Sequence, residues 1–144
     1  MIWFNNLDVM LSCSYHVQKM YSTNCGTHSL PIVMDGANVT GQHGLYASAV
    51  RDEADRKYII KVVNLASVEQ ELSLQFKGLS RKETLDCPVT CTVLHSDDPY
   101  AENTLENPET IVPVTSVLEP SSWNKNSFTT TIGPRTFAVY TISY

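Results

Sequence analysis

The chain has 144 residues, a mass of 16.1 kDa and a formal charge of -5, with 42% hydrophobic and 17% charged residues. That is one domain's worth of globular polypeptide, too short for a complete (β/α)₈ barrel of about 250 residues and too apolar for a disordered chain. The acidic balance lacks a basic cluster and the apolar runs are short, so neither nucleic acid nor membrane is implied as a partner. Val, Thr, Ile and the aromatics supply a third of the residues while Ala is rare, which favours strands.

Residues 1–6 (Met1-Ile2-Trp3-Phe4-Asn5-Asn6) read as a short buried strand. They lack the cationic lead and extended apolar core of a signal peptide, and read as a start inside a longer polypeptide. A turn at Leu7-Asp8 precedes the one good helix pattern, Ser12 to Asn24. Cys13, Val17, Met20 and Tyr21 fall there at helical spacing. Ser12 or Ser14 is placed to cap it, and Gly26 to end it in a left-handed conformation.

Residues 27–44 are punctuated by Gly and Pro, with a brief strand expected over Leu30 to Met34. Leu45 to Arg51 and Lys57 to Leu65 flank the charged tip 52–55 as a hairpin. Residues 68–76 alternate apolar and polar, as a half-buried strand does. Thr84 to His95 follows, with Pro88 pushing it toward a sheet edge or a bulge. After a polar loop over 96–110 come strands at Ile111 to Val117, Ser127 to Ile132 and Thr136 to Tyr144. Short strands with turns about every ten residues predict a two-sheet antiparallel sandwich.

Chemistry-bearing patterns are sparse. Cys87 and Cys91 share one face of a strand about 13 Å apart, beyond disulfide reach, and read as small buried hydrophobes. Cys13 and Cys25 are about 18 Å apart across a helix. No intrachain pair is favoured, and the redox compartment is left open. His16, His28, His43 and His95 are scattered, and no spacing suggests a metal or a cofactor. Glu102, Glu106 and Glu109 share one loop, whereas glycoside hydrolysis needs two carboxyls held about 5–9.5 Å apart on rigid elements. Asn38-Val39-Thr40 is a formal glycosylation sequon, meaningful only in a secreted eukaryotic protein. Tyr100, Trp123 and Tyr144 are the candidates for stacking on a sugar ring, with core packing as the competing reading for Trp123.

Five segments in order resemble the C-terminal region of α-L-arabinofuranosidases of glycoside hydrolase family 51. They are Ile2-Trp3-Phe4-Asn5-Asn6; Tyr15 through Thr27; Leu45-Tyr46-Ala47-Ser48-Ala49 with Ile60-Lys61-Val62-Val63-Asn64; Leu105-Glu106-Asn107-Pro108 through Val112-Pro113-Val114; and Ile132-Gly133-Pro134-Arg135-Thr136-Phe137-Ala138-Val139-Tyr140. The segment Asp8 to Ser14 and the cysteines Cys13 and Cys25 depart from the family pattern.

The resemblance implies a jelly-roll-like antiparallel sandwich over 27–144. Residues 1–26 would be the last strand and helix of a catalytic (β/α)₈ barrel. No residue matches either catalytic glutamate of those retaining enzymes, so this chain alone is expected to be inactive. The implied role is an accessory domain that stabilises the barrel, with an arabinose-containing polysaccharide reached through the parent enzyme; an independent carbohydrate-binding module is the alternative. Trp3, Asn5 and Asn6, at the C-terminal end of a barrel strand, would line the pocket mouth, unless Trp3 and Phe4 pack between barrel and helices. The parent enzyme is expected to be secreted or periplasmic. Val17, Met20 and Tyr21 are expected to lie on the sandwich, worth roughly 5–8 kcal/mol before ordering entropy. A sheet edge left open by a missing strand would favour a homo-oligomer.

Overall fold

The computed structural model describes residues 1–79, 85, 87–119 and 123–144. The expected strand start at Thr84 and the turn residues 120–122 before Trp123 lie outside them.

Strand β1 (Ile2–Phe4) pairs antiparallel with β2 (Val9–Leu11), and helix α1 (Cys13–Ser22) follows. The β2 strand was not expected. Nor is β1 buried: Ile2, Trp3 and Phe4 are all exposed, because no other element among the described residues covers them. The expectation of a buried strand over 1–6 is thus corrected: an apolar run signals burial only where a covering element is present, and none is found among the described residues. Ser12 caps the helix by accepting from the Tyr15 amide. Gly26 does not supply a left-handed C-terminal residue, since it is not among the positive-φ glycines. The helix ends instead at Thr23, whose amide and hydroxyl both donate to the Lys19 carbonyl. Gly26 is needed for a close approach: a Cβ there would lie 2.7 Å from the Arg51 carbonyl oxygen and from Val50 Cβ.

Two small strands replace the single one expected over 30–34. β3 (His28–Leu30) joins a large sheet. β4 (Val33–Met34) pairs with β5 (Ala37–Asn38) around Asp35-Gly36, both at positive φ as a tight hairpin turn requires. β6 (Leu45–Asp52) and β7 (Lys57–Asn64) form the expected hairpin. β8 (Gln70–Gln75), β9 (Val89–His95), β10 (Val114–Leu118), β11 (Trp123–Asn124), β12 (Ser127–Ile132) and β13 (Thr136–Ser143) complete the chain. Pro113 holds β10 to a later start than expected, since proline gives the ladder no donor. Pro88 does not make β9 an edge. It sits just before the first strand residue, and β9 is interior, between β10 and β13.

The sheets pack as the predicted antiparallel sandwich. One has six strands in the order β10-β9-β13-β7-β6-β3, the other three in the order β11-β12-β8. Between them lies a core that includes Tyr58, Ile60, Val62, Leu72, Val89, Cys91, Phe128, Ile132, Ala138, Tyr140 and Ile142. The opposite face of the larger sheet is apolar too. Ile59, Leu94, Phe137 and Val139 point there and enclose Met20, with Ile111 from the β9–β10 loop. In β7 and β13 successive residues thus enter different cores, which explains why their sequences run apolar without alternation.

Candidate functional site

The hairpin tip between β1 and β2 is shaped by Asn5. Its Oδ1 accepts from the Leu7 and Asp8 amides at 2.8 and 2.7 Å, and its backbone amide donates to the Asp8 carbonyl at 3.0 Å. Asn5, expected to line a pocket mouth, therefore has its side chain committed to the turn. Trp3 and Asn6 are exposed, and Leu7 at the tip is 92% exposed. Ile2, Trp3, Phe4, Leu7 and Val9 are the exposed large apolar side chains of this hairpin, interrupted by Asn5, Asn6 and Asp8.

Behind this surface the hairpin and helix are fastened to the sandwich. Buried Asn103, in the β9–β10 loop, donates through Nδ2 to the Leu11 carbonyl at 2.8 Å and the Ile111 carbonyl at 2.9 Å. Its Oδ1 accepts from the Ile111 amide at 2.7 Å. Met20 inserts into the outer core, flanked by Val17. Tyr21 stacks on Phe137 with centroids 4.8 Å apart and planes 11° apart. The buried Lys61 of β7 donates from Nζ to the Tyr21 carbonyl at 3.3 Å and lies 5.0 Å from the Tyr21 ring centroid. An ammonium suits the negative end of a helix and an aromatic face. Desolvation still pulls its pKa below the ordinary lysine value, with Cys25 acting in the opposite sense. Buried His16 shares the helix's inner face, and its Nε2 has no hydrogen-bond partner among the described residues. Burial first, and the Lys19 ammonium second, lower its pKa. The helical spacing of Val17, Met20 and Tyr21 was the sequence signal for this joint, and all three do meet the larger sheet. Asn103 and His16 carried none, because their environments come from distant segments.

The three aromatic candidates are not brought together as one platform. Trp123 is half-buried, packs between Phe76 and Phe128 with centroids at 5.7 and 5.3 Å, and donates from Nε1 to the Cys87 carbonyl at 3.0 Å. Tyr144 meets the Tyr58 ring at 4.7 Å and the Arg51 guanidinium at 4.8 Å, and its hydroxyl accepts from Arg51 Nε at 2.7 Å. Tyr100 is 90% exposed. It precedes Ala101, which packs on the outer core, whereas Trp123 belongs to the inner one.

A groove of about 300 Å³ opens between the sheets, lined among others by Cys91, His95, Ser116, Thr130 and Thr136, with no carboxylate on its walls among the described residues. Burial pushes the Cys91 thiol up to about 11 and the Tyr140 hydroxyl upward as well, so neither is a nucleophile at neutral pH. At its rim His95 Nδ1 lies 3.0 Å from Thr136 Oγ1 and Nε2 lies 3.1 Å from Asp97 Oδ1. Glu102, Glu106 and Glu109 are all exposed on the β9–β10 loop. Among the described residues no cluster of three His, Cys, Asp or Glu could hold a metal ion, and no helix is long and apolar enough to cross a membrane. All four cysteines are free.

Residues 1–135 match the family model described as the α-L-arabinofuranosidase C-terminal domain. No curated protein sequence matches the chain. Among solved structures, the arabinose-bound MgGH51 α-L-arabinofuranosidase is 26% identical, with a TM-score of 0.77 over 99% of this chain and 21% of that one. The GH51 arabinofuranosidase from Xanthomonas axonopodis pv. citri is 19% identical, with a TM-score of 0.76 over 99% of this chain and 28% of that one. The thermostable GH51 enzyme from Thermotoga petrophila RKU-1 is 20% identical, with a TM-score of 0.72 over 99% and 31%. These two share the fold. This chain spans between a fifth and a third of the length of such enzymes. The apolar hairpin, the docked helix and the sandwich thus belong together, and the chain is a member of the α-L-arabinofuranosidase C-terminal domain family.

Proposed function

We propose that this chain is the non-catalytic C-terminal part of a retaining α-L-arabinofuranosidase that removes terminal α-L-arabinofuranosyl residues from arabinan or arabinoxylan. Residues 1–26 serve as the last strand-helix unit of its (β/α)₈ barrel and 27–144 as the accessory sandwich. The observation that carries this reading is the two-sided character of the first 26 residues. Their inner face, with Met20 and His16, is buried on the sandwich, while Ile2, Trp3, Phe4, Leu7 and Val9 stay exposed as a surface for the rest of the barrel. In the assembled enzyme Trp3 and Asn6 line the pocket mouth, and Asn5 sets the turn that presents them. The paired carboxylates that cleave the glycosidic bond are supplied by the barrel.

The test is complementation. The MgGH51 enzyme truncated before its matching region is mixed with this chain and assayed on p-nitrophenyl α-L-arabinofuranoside. Activity that requires both pieces is expected, and turnover by this chain alone refutes the reading.

The exposure of Tyr100 favours one further reading, an independent carbohydrate-binding module. Retention on an arabinoxylan affinity gel that is lost in Tyr100→Ala would support it. Self-association is also expected of the isolated chain. β10 ends the larger sheet and carries exposed Val114 and Val117 without a charged residue. A single monomeric species in concentrated sedimentation runs would refute that.

A further inference from the structure

The sequence holds one Asn-x-Ser/Thr triplet in which x is not proline, Asn38-Val39-Thr40. We propose that Asn38 is an acceptor for an N-linked glycan, on the strength of how the β4–β5 hairpin and the residues after it display this triplet.

Val39 is buried in the inner core, and its two neighbours are exposed. Extended backbone alternates its side chains, so anchoring the middle residue inward turns Asn38 and Thr40 outward together. The Thr40 hydroxyl lies 3.5 Å from the Asn38 carbonyl. Gln42 clamps the backbone on both sides of Val39. Its Nε2 donates to the Asn38 carbonyl at 2.7 Å, and its Oε1 accepts from the Thr40 amide at 2.8 Å. The Asn38 side-chain amide has no partner among the described residues. The amides of Asn5, Asn24, Asn64 and Asn103, by contrast, all donate within the fold.

The folded chain also has room for the product. Asn38 pairs across the hairpin with Val33, which is exposed, so the first sugar has an apolar side chain beside it to cover. The hairpin's Met34 packs against the inner core, whereas α1 packs on the other face of the larger sheet. A glycan on Asn38 thus leaves the hairpin and helix surface clear.

The chemistry is transfer from a polyprenyl-diphosphate-linked oligosaccharide. Asn38 Nδ2 forms a bond to the sugar C1, the C1–oxygen bond to the diphosphate breaks, the diphosphate leaves with the bonding electron pair, and the amide nitrogen loses one proton.

The test is secretion of the full chain from yeast behind a cleavable leader, beside the same chain made in the cytosol. Intact mass is read before and after digestion with a peptide-N-glycosidase in ¹⁸O water. The secreted chain is expected to be heavier by at least one core oligosaccharide, to lose it on digestion, and to carry the ¹⁸O-labelled Asp at position 38. Thr40→Ser retains the glycan; Asn38→Gln and Thr40→Ala lose it. Secreted wild-type chain with the bare polypeptide mass overturns the proposal, as does glycan retained in Asn38→Gln.

Discussion

Met20→Ala removes the side chain at the centre of the joint between α1 and the larger sheet. Met20 is buried against Ile59, Leu94, Ile111, Phe137 and Val139. Truncating a buried methionine in such a site costs about 2–5 kcal/mol, through lost transfer energy and the cavity left behind. A ten-residue helix is marginal in water, so α1 holds its structure through docking. The sandwich has its own core and its own ladders, and none of them passes through the helix. The loss should therefore be local. At about 2.8 kcal/mol the protection of α1 amides from hydrogen exchange drops about a hundredfold. Amides of β7 and β13, held in the ladders of the larger sheet, change little by comparison. Exchange measured residue by residue by NMR separates the two groups. An equal fall in α1, β7 and β13 would refute the idea that the joint is energetically separable from the sandwich, and unchanged protection in α1 would refute the docking energy itself.

Other substitutions test the remaining fastenings. Asn103→Ala strips partners from the Leu11 carbonyl and from both backbone groups of Ile111, so the urea midpoint should report a loss of about 2–4 kcal/mol. Burial, then Lys19, holds the His16 pKa below its ordinary 6.5, so as pH falls through 6.5 the unfolded chain binds a proton that the folded chain refuses. Stability contributed by neutral His16 is thus complete above the unfolded value and declines on acidification. His16→Leu should flatten the thermal midpoint between about pH 7 and pH 5, and an unaltered slope would exclude His16 as its source. Gly26→Ala forces a Cβ to 2.7 Å from the Arg51 carbonyl oxygen, and a loss of about 1–3 kcal/mol is expected in chemical denaturation. Gly36→Ala meets no atom within 4 Å but sits at φ +80°, so only about 1–2 kcal/mol of backbone strain is expected.

The sandwich was legible wherever a segment carried its own signal. Leu72 and Leu74 alternate with charged and polar residues in β8, and the charged tip at 52–55 marks the β6–β7 hairpin. The α1 cap at Ser12 was equally local. The Asp35-Gly36 turn was local as well, with Gly36 among the residues that punctuate 27–44. Burial was legible only where its cover lies in this chain. Ile2, Trp3 and Phe4 have the composition of a core strand and are exposed, since composition does not say whether anything packs against it. The candidate site was less legible still. Asn103 reaches a carbonyl 92 positions away and Lys61 one 40 positions away, and no periodicity encodes such separations.

The larger sheet acts as a party wall, with neighbouring residues of β7 furnishing different rooms. Adding one residue between Tyr58 and Ile60 would swap every tenant beyond it at once, sending the Lys61 ammonium in among Tyr140 and Phe128 and turning Ile60 and Val62 toward the helix. The same addition at the 53–56 tip would disturb neither side. Natural length variation in this strand should accordingly be far rarer than in the tip beside it.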